Sequence, residues 1–404
     1  MAKRDPNTTG SKKSEKSFLP SQNSAFTIFD ILARGQLVSQ GIFIVAKLRI
    51  PDYLRDGAKT IDELANITKA HPDPLYRLLR MLASVGIFRE TTEAEIEEKQ
   101  NKQNITRRFE LTPAASLLLS ETKNSIRDFA LLFGLDSFNK ATTNLMHAIQ
   151  TGDNSFKHTN GLEMYEYFQQ KQNRNEAEIF DKAMTSLNLS YVSTIFHLYD
   201  FSQFKTITDV GGGQGMFLST ILKENPNQHG ILFDLPNVIE NAKKTYWKSS
   251  TNSKGVSNFS LLSRCKLIEG NFFKSIPSGS DCYMIKNVIL NWDDESAATI
   301  LKNCLQAMRK TNLNDLDKGD IQQVKHRLLI IETIMPEGNE PYFGKFTDIL
   351  MLALTRGGRL RTEKEFSKLL GSSGFDIINI VKPSDDVSFL SIIEAIPSSM
   401  EEST

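Results

Sequence analysis

The chain has 404 residues, enough for two domains that each bury a core of their own. Its 48 Lys and Arg residues balance 48 Asp and Glu residues, so the formal net charge is zero. A neutral chain has no general attraction for nucleic acid or for an anionic membrane, so either role would need a local basic patch.

The amino-terminal residues 1–22 are polar and basic and lack the apolar stretch of a secretory signal, so they predict a disordered tail. No later stretch approaches eighteen uninterrupted apolar residues, and no membrane span is expected. The three cysteines, Cys265, Cys282 and Cys304, show neither C-x-x-C pairing nor metal-type histidine spacing nearby. They indicate buried thiols, no metal site and a cytoplasmic protein.

Residues 23–119 open with amphipathic helical patterns. Thr60 and Glu63 have the spacing of a capping box at a helix start. A further helix carries leucines at i, i+3, i+4 and i+7, which are Leu75, Leu78, Leu79 and Leu82. That spacing predicts one buried helix face.

A short hairpin follows these helices, with 87–90 and 108–112 as its strands and the charged insert 91–107 as its loop. Three helices and a hairpin predict a winged-helix arrangement. Such a module binds DNA or packs against another chain. Its long apolar opening helices favour packing.

Residues 120–200 have the pattern of further helices. They form a predicted connector that could cover a pocket in the next domain. Within 201–397, apolar strand patterns alternate with helices, and the strand patterns fall at 206–210, 230–234, 265–270, 281–290, 327–335, 375–381 and 388–396. Such alternation predicts an α/β domain with a mostly parallel sheet and an antiparallel final strand. Ligands of these sheets bind beyond the carboxyl ends of the strands.

The segment TITDVGGGQG at 206–215 is a strand followed by a glycine turn and a helix start. Gly211, Gly213 and Gly215 form G-x-G-x-G, and Met216 stands where a dinucleotide fingerprint needs its third glycine. Asp234 ends the next strand, about where a carboxylate meets ribose hydroxyls. A cofactor with ribose but no phosphate, S-adenosylmethionine, fits best; the alternative is a glycine turn that only lets a helix pack closely.

The whole pattern resembles a known family. The matching segments, in order, are PLYRLLRMLASVGIF, FELT, TDVGGGQG, FDLPNVIENA, EGNFF, NWDDE and GGRLRTEKEF. From about residue 25 to 396 the chain resembles class I S-adenosylmethionine-dependent small-molecule O-methyltransferases of the plant caffeate and hydroxyindole type. It looks closest to a bacterial subgroup that acts on anthracycline-type polyketides.

The resemblance implies a Rossmann-like seven-stranded methyltransferase sheet with an N-terminal all-α/winged-helix dimerisation domain, and hence a homodimer. It also implies the cofactor-binding residues Gly211, Gly213, Gly215, Asp234, Leu235, Asn271, Phe272 and Lys286. Met184, Asn287 and Asn291 are the implied substrate-pocket residues, although Met184 taken alone fits a helix core better.

The catalytic position departs from the family pattern. Leu290 stands where the family has a histidine base, and Leu360 replaces one of the two glutamates that flank it. Glu332 matches the other glutamate and is the remaining catalytic candidate. Because base and partner are lost together, we expect a pocket without a base. His147 or His158 in the connector could serve as a relocated base.

These observations favour an O-methyltransferase for a hydroxyl of a small, aromatic or polyketide-like molecule, working by orientation. One alternative is a non-methylating tailoring enzyme, a hydroxylase or decarboxylase, that retains S-adenosylmethionine. Another is a cofactor-binding regulator that uses its winged helix on DNA, which the neutral charge disfavours. The charged insert 309–327 has no functional interpretation.

Overall fold

The computed structural model describes residues 24–92, 107–122, 124–244, 247, 259–316, 326–383 and 389–399. The predicted disordered tail and most of the charged insert 91–107 lie outside these ranges. Within them, no helix is both long enough and apolar enough to cross a membrane.

The N-terminal part combines four helices with a small antiparallel sheet. The helices are α1 Ser24–Lys47, α2 Ile50–Tyr53, α3 Ile61–Thr68 and α4 Pro72–Ser84. The strands are β1 Lys59–Thr60, β2 Phe88–Thr92 and β3 Arg107–Leu111, in the order β1-β3-β2. The winged-helix prediction is therefore confirmed, with β1 as an additional strand.

The capping box and the buried helix face predicted for this part are confirmed. The Thr60 side chain accepts from the Glu63 backbone N–H at 3.2 Å, and the Glu63 carboxylate accepts from the Thr60 N–H at 2.7 Å. Leu75, Leu79 and Leu82 are buried in the core of this part, and Leu78 packs against it.

A run of mostly short helices links this part to the large sheet. The helices are α5 Pro113–Ser116, α6 Arg127–Leu132, α7 Asp136–Thr143, α8 Leu145–Thr151, α9 Ser155–Asn160, α10 Met164–Gln169 and α11 Arg174–Leu198. Ala115 of α5 is buried in the core of the N-terminal part. Helices α6 to α11 share an aromatic core around Phe138, Phe156 and Phe168, which also includes Ala353 and Leu354 from the helix Gly344–Leu354. The prediction of a helical connector is confirmed, while its boundaries at 120 and 200 stay predictions.

The large sheet has seven strands in the order β6-β5-β4-β7-β8-β10-β9. The strands are β4 Thr206–Val210, β5 His229–Asp234, β6 Cys265–Glu269, β7 Cys282–Lys286, β8 Arg327–Thr333, β9 Phe375–Val381 and β10 Leu390–Pro397. Only β10 runs antiparallel to its neighbours, and it lies between β8 and β9. All seven predicted strands are present.

One predicted strand boundary was wrong. The strand expected over 281–290 ends at Lys286, because Asn287 has a positive φ of 53° and a 3₁₀ turn follows at Ile289–Asn291. One helix runs without a break over Asp294–Leu316 and so includes the first part of the charged insert 309–327.

Helices cover both faces of the sheet. They are α12 Met216–Glu224, α13 Pro236–Lys244, α14 Phe259–Leu262, α15 Asp294–Leu316 and α17 Glu363–Ser372, while α16 Gly344–Leu354 packs against the connector. Leu301, Cys304, Leu305 and Met308 of α15 are buried, as their spacing predicts. The two faces bury separate cores, so the carboxyl ends of the strands are held between two packed layers.

Candidate active site

The glycine turn after β4 has the backbone that only glycine adopts readily. Gly211, Gly213 and Gly215 have φ of 70°, 61° and 77°. A Cβ added at Gly211 would lie 2.9 Å from Val288 Cγ2, and one at Gly215 would lie 2.5 Å from Trp247 Nε1. A Cβ added at Gly213 would meet nothing within 4 Å. Gly213 therefore faces open space, and this space is called the crevice below.

The Asp234 carboxylate lies across this turn at the tip of β5. Its oxygens accept from the backbone N–H of Gly213 at 2.8 Å and of Leu235 at 2.7 Å. Burial raises the pKa of Asp234 to about 6; the two backbone N–H donors oppose this rise, and the nearby Asp181 carboxylate adds to it. The predicted loop and acidic residue are thus in direct contact.

Asp181 of α11 is a neighbour that the sequence analysis missed. Its Oδ2 lies 3.4 Å from Asn241 Nδ2, and its carboxylate accepts from the Gln214 side chain within the glycine turn. Burial raises its pKa as well. Met184, one helical turn further on, packs partly buried against the connector core. The i, i+3 spacing of these two residues could have placed them on one face.

Asn271 and Phe272 follow β6. The Asn271 Oδ1 accepts from the Phe273 backbone N–H at 2.8 Å and so shapes its own turn. Phe272 Cε1 lies 3.5 Å from the Cβ position of Gly211. An apolar ring therefore lies beside the glycine turn.

Three ionisable groups are buried behind the turn. They are Asp209 of β4, Lys286 of β7 and Glu332 of β8, each less than 10% exposed. Burial raises the pKa of Asp209 to about 7 and that of Glu332 to about 7, and it lowers the pKa of Lys286 to about 8. Lys286 partly offsets the shift at Asp209, and the Leu290 N–H and the Arg361 charge partly offset the shift at Glu332, by favouring the ionised carboxylates. Asp209, hidden in an apolar strand pattern, had not been predicted.

Leu290 lies just after β7 in the 3₁₀ turn. The Glu332 Oε1 accepts from the Leu290 backbone N–H at 3.1 Å. Leu360 is 4% exposed, and its N–H donates to Asp348 Oδ1 at 2.7 Å. Glu332 is thus engaged with the backbone of the residue at the expected base position.

Arg361, directly after Leu360, holds the same turn in place. Its guanidinium donates to the carbonyl oxygens of Ile289 at 3.1 Å and Trp292 at 2.8 Å. It also donates to the Asp294 carboxylate at 2.9 and 2.7 Å, yet the residue is only 1% exposed. The sequence analysis missed this role, because Arg361 is far along the chain from the residues that it contacts.

The connector reaches the turn through aromatic contacts. Tyr165 stacks on Trp292 with ring centroids 6.0 Å apart, and Phe273 meets the same indole edge-on at 4.7 Å. Burial, with the Asp234 charge nearby, raises the pKa of Tyr165 far above its ordinary value. The Asn291 amide donates to the carbonyl oxygens of Asn287 and Val288, at 3.0 and 3.2 Å.

His147 and His158 lie together in the connector, with parallel rings 4.0 Å apart. They line a polar pocket whose lining includes neither Leu290 nor Glu332. The part of the chain that the structure describes has no group of three or more acidic, histidine or cysteine side chains arranged to hold a metal ion.

Two family patterns match the chain. The O-methyltransferase domain matches residues 143–376, and the O-methyltransferase dimerisation domain matches residues 30–121.

Curated relatives extend the match to nearly the whole chain. The phenazine O-methyltransferase PhzM of Lysobacter antibioticus is 35% identical over 90% of this chain and 94% of its own length. The mitomycin biosynthesis 6-O-methyltransferase of Streptomyces lavendulae is 30% identical, covering 87% and 89%. The aclacinomycin 10-hydroxylase RdmB of Streptomyces purpurascens is also 30% identical, covering 85% and 84%.

Solved structures of similar proteins have the same fold as this chain. LaPhzM superposes with a TM-score of 0.76 at 32% identity, covering 93% of this chain and 100% of its own. The S-adenosylhomocysteine-bound calicheamicin methyltransferase CalO1 gives a TM-score of 0.71 at 26% identity, covering 93% and 98%. Fold and glycine turn together define an S-adenosylmethionine-dependent methyltransferase. More narrowly, the chain belongs to the O-methyltransferase family with its own dimerisation domain, and it is a S-adenosylmethionine-dependent O-methyltransferase.

The buried guanidinium of Arg361 yields a stability prediction. Arg361→Met keeps an unbranched side chain but removes the guanidinium donor from the Trp292 and Ile289 carbonyl oxygens, of which the Ile289 oxygen keeps the Trp292 N–H, and this costs about 3 kcal/mol. We expect the melting temperature to fall by roughly 5 °C or more. Arg359→Met is the matched control, because that guanidinium is half exposed and pairs with Glu365 at the surface. Equal melting temperatures for the two variants would contradict the assigned role.

Proposed function

We propose that this O-methyltransferase methylates a hydroxyl on a small aromatic or polyketide-like molecule, and that it does so without a histidine base. The observation that carries the proposal is the pair of leucines, Leu290 and Leu360, where the family resemblance implies a base and its partner. The names of the phenazine and mitomycin relatives support an aromatic or quinone-type acceptor.

The crevice suits the cofactor. Gly213 leaves room for a close approach, Asp234 offers a carboxylate at the strand tip for ribose hydroxyls, and Phe272 offers an apolar face for adenine. The proposed cofactor-binding set is the predicted one, namely Gly211, Gly213, Gly215, Asp234, Leu235, Asn271, Phe272 and Lys286. Asp181 joins this set because it lies against both the glycine turn and Asp234.

S-adenosylmethionine supplies an electrophilic methyl group when bound. The chain contributes orientation, which is worth about 7–11 kcal/mol for well-placed reactants. A positioned base is worth about 10²–10⁴-fold in rate, a smaller share. A phenol acidified by a neighbouring carbonyl group ionises with little help. In this proposal, Glu332 and Arg361 fix the turn that carries Leu290 and Asn291, while Met184, Asn287 and Asn291 border the acceptor.

The dimerisation domain supports a homodimer, and α1 presents exposed apolar side chains, including Ile31, Leu32 and Leu37, that a second copy would cover. The three cysteines are buried free thiols, which suits a reducing compartment such as the cytoplasm.

A hydroxylase activity is the second candidate, and the similarity to RdmB favours it. A screen of hydroxylated aromatic acceptors with methyl-labelled S-adenosylmethionine separates the two. Label in the acceptor together with S-adenosylhomocysteine supports methyl transfer. Acceptor-dependent oxygen uptake without S-adenosylhomocysteine supports hydroxylation and would overturn the proposal.

The open side of Gly213 leads to a binding prediction. Gly213→Ala places a methyl group in the crevice and forces an L-residue to a φ of 61°, so we expect S-adenosylmethionine affinity to fall about tenfold or more. Gly86→Ala is the matched control, since Gly86 has a φ of 81° and equal open space but lies in the winged helix. Calorimetry should show wild-type affinity for Gly86→Ala; similar losses in both variants would point to backbone strain instead.

The raised pKa of Asp234 makes cofactor affinity pH-dependent. A ribose-binding carboxylate accepts best when ionised, and burial places its protonation near pH 6. We expect the affinity to be constant above about pH 7 and to fall towards tenfold per pH unit below the pKa. Asp234→Asn should bind more weakly at pH 7.5 but without this dependence. A wild-type dissociation constant that stays flat down to pH 5 would refute the assignment.

The base-free mechanism is tested at two residues. Leu290→Ala and Glu332→Gln should each keep kcat/KM within about tenfold of wild type, because no proton passes through either side chain. The glutamine at 332 keeps an oxygen for the Leu290 N–H. A fall of about 10²–10⁴-fold confined to Glu332→Gln would instead identify Glu332 as the base.

A further inference from the structure

A half-open pocket of about 420 Å³ lies between the connector and the residues after α16, and the methyl-transfer proposal does not use it. Its lining consists of His147, Gly152, Asp153, Asn154, Lys157, His158, Glu163, Arg356 and Gly357. Every lining side chain carries a polar or charged group, and Asp153, Lys157, His158 and Arg356 are exposed, so an occupant would meet hydrogen-bonding groups at the protein surface.

Hydrogen bonds hold the floor of this pocket in place. Asn154 is 5% exposed; its Oδ1 accepts from the Lys157 N–H at 2.8 Å, and its Nδ2 donates to Glu163 Oε2 at 3.0 Å. Phe156, fully buried, anchors the same helix in the aromatic core. Because these groups are already satisfied, the pocket keeps its shape without a ligand.

The pairing of charges leaves an excess of donors. Glu163 is neutralised by Lys157, whose Nζ lies 3.1 Å from Oε1. Within the described ranges, the Arg356 guanidinium and the ring nitrogens of His147 and His158 have no hydrogen-bond or ion-pair partner. The Asp153 carboxylate is the one unpaired acid among the lining side chains. Three donor groups therefore face a single acceptor.

The stacked histidines add to this excess of hydrogen-bond donors. Their rings are 11° from parallel with centroids 4.0 Å apart, so their ring edges lie side by side. A neutral imidazole donates through one nitrogen and a protonated one through both. A shared anionic oxygen group would let both rings keep their donors satisfied at this separation.

The pocket borders the turn that carries Leu290. A Cβ on Gly357 would lie 2.8 Å from the Cβ of Asp293, the residue after Trp292. On the other side, Glu163 is two residues before Tyr165, which stacks on Trp292. An occupant of the pocket would therefore lie next to the walls that hold the acceptor.

We infer that this pocket binds an oxyanion, a carboxylate or phosphate group held by Arg356, His147 and His158. The group belongs to the acceptor, in which case the inference rests on the proposed function, or to a free anion. A metal ion is disfavoured, because no metal-holding group of side chains occurs in the described part of the chain.

Inorganic phosphate is the probe for the site, applied to the full-length protein at constant ionic strength with chloride as the reference. Phosphate should raise the melting temperature of the wild type, since a ligand that binds the folded state stabilises it. Calorimetry should show phosphate affinity reduced about tenfold or more in Arg356→Gln. No difference between phosphate and chloride in the wild type would overturn the inference.

Matched variants separate charge from disruption. Asp153→Asn should bind phosphate more tightly, the opposite sign to Arg356→Gln, because it removes the unpaired acid from the same pocket. Arg174→Gln removes an exposed arginine elsewhere in the connector and should leave phosphate affinity unchanged. His147→Phe and His158→Phe keep a flat ring without nitrogen and should each weaken binding. Equal weakening in Arg356→Gln and Asp153→Asn would indicate structural damage and count against the site.

Paired acceptors identify the source of the oxyanion. If the group belongs to the acceptor, kcat/KM for 3-amino-4-hydroxybenzoate should fall about tenfold in Arg356→Gln, while that for 2-aminophenol stays unchanged. If both acceptors respond alike and phosphate still binds, the site serves a free anion. Absence of methyl transfer to any acceptor would defeat the proposed function and leave the phosphate result standing by itself.

Discussion

Parallel pairing of the central strands is the constraint on which the site depends. Because β4, β5, β7 and β8 run in one direction, their carboxyl ends meet at one edge. That edge gathers the glycine turn, Asp234, Lys286 and Glu332, which are far apart in the chain. Tertiary contacts then fix the details. The Gly213 N–H donates to the Asp234 carboxylate, and Arg361 holds the turn after β7.

Leu290 and Leu360 are consistent with each other as neighbours of a site that, on the proposed mechanism, works without a base. A histidine and a glutamate would need each other as buried partners, and removing only one would leave the other unsatisfied. Two leucines avoid that cost. The acid Glu332 accepts from a backbone N–H and lies near the buried Arg361. On the proposed mechanism, these contacts hold the turn while orientation, not proton abstraction, carries the reaction.

Much of the fold follows from local pattern. All seven strands of the sheet, the capping box at Thr60 and the buried leucines of α4 were predicted correctly, since period-2 and period-3.6 spacing reflect burial directly. One strand boundary was wrong, at Asn287. A single residue with positive φ ends a strand without altering its apolar pattern.

The sequence by itself determined the cofactor class, the order of the motifs along the chain and the absence of a histidine at position 290. These properties depend on residue type at short spacing. Tertiary structure alone decided which distant groups meet: Asp181 with Gln214, Arg361 with the carbonyls of Ile289 and Trp292, and His147 with His158. Such contacts depend on how helices pack over the sheet. Packing is decided by the shapes and charges of side chains in three dimensions, which the spacing of residues along the chain does not specify.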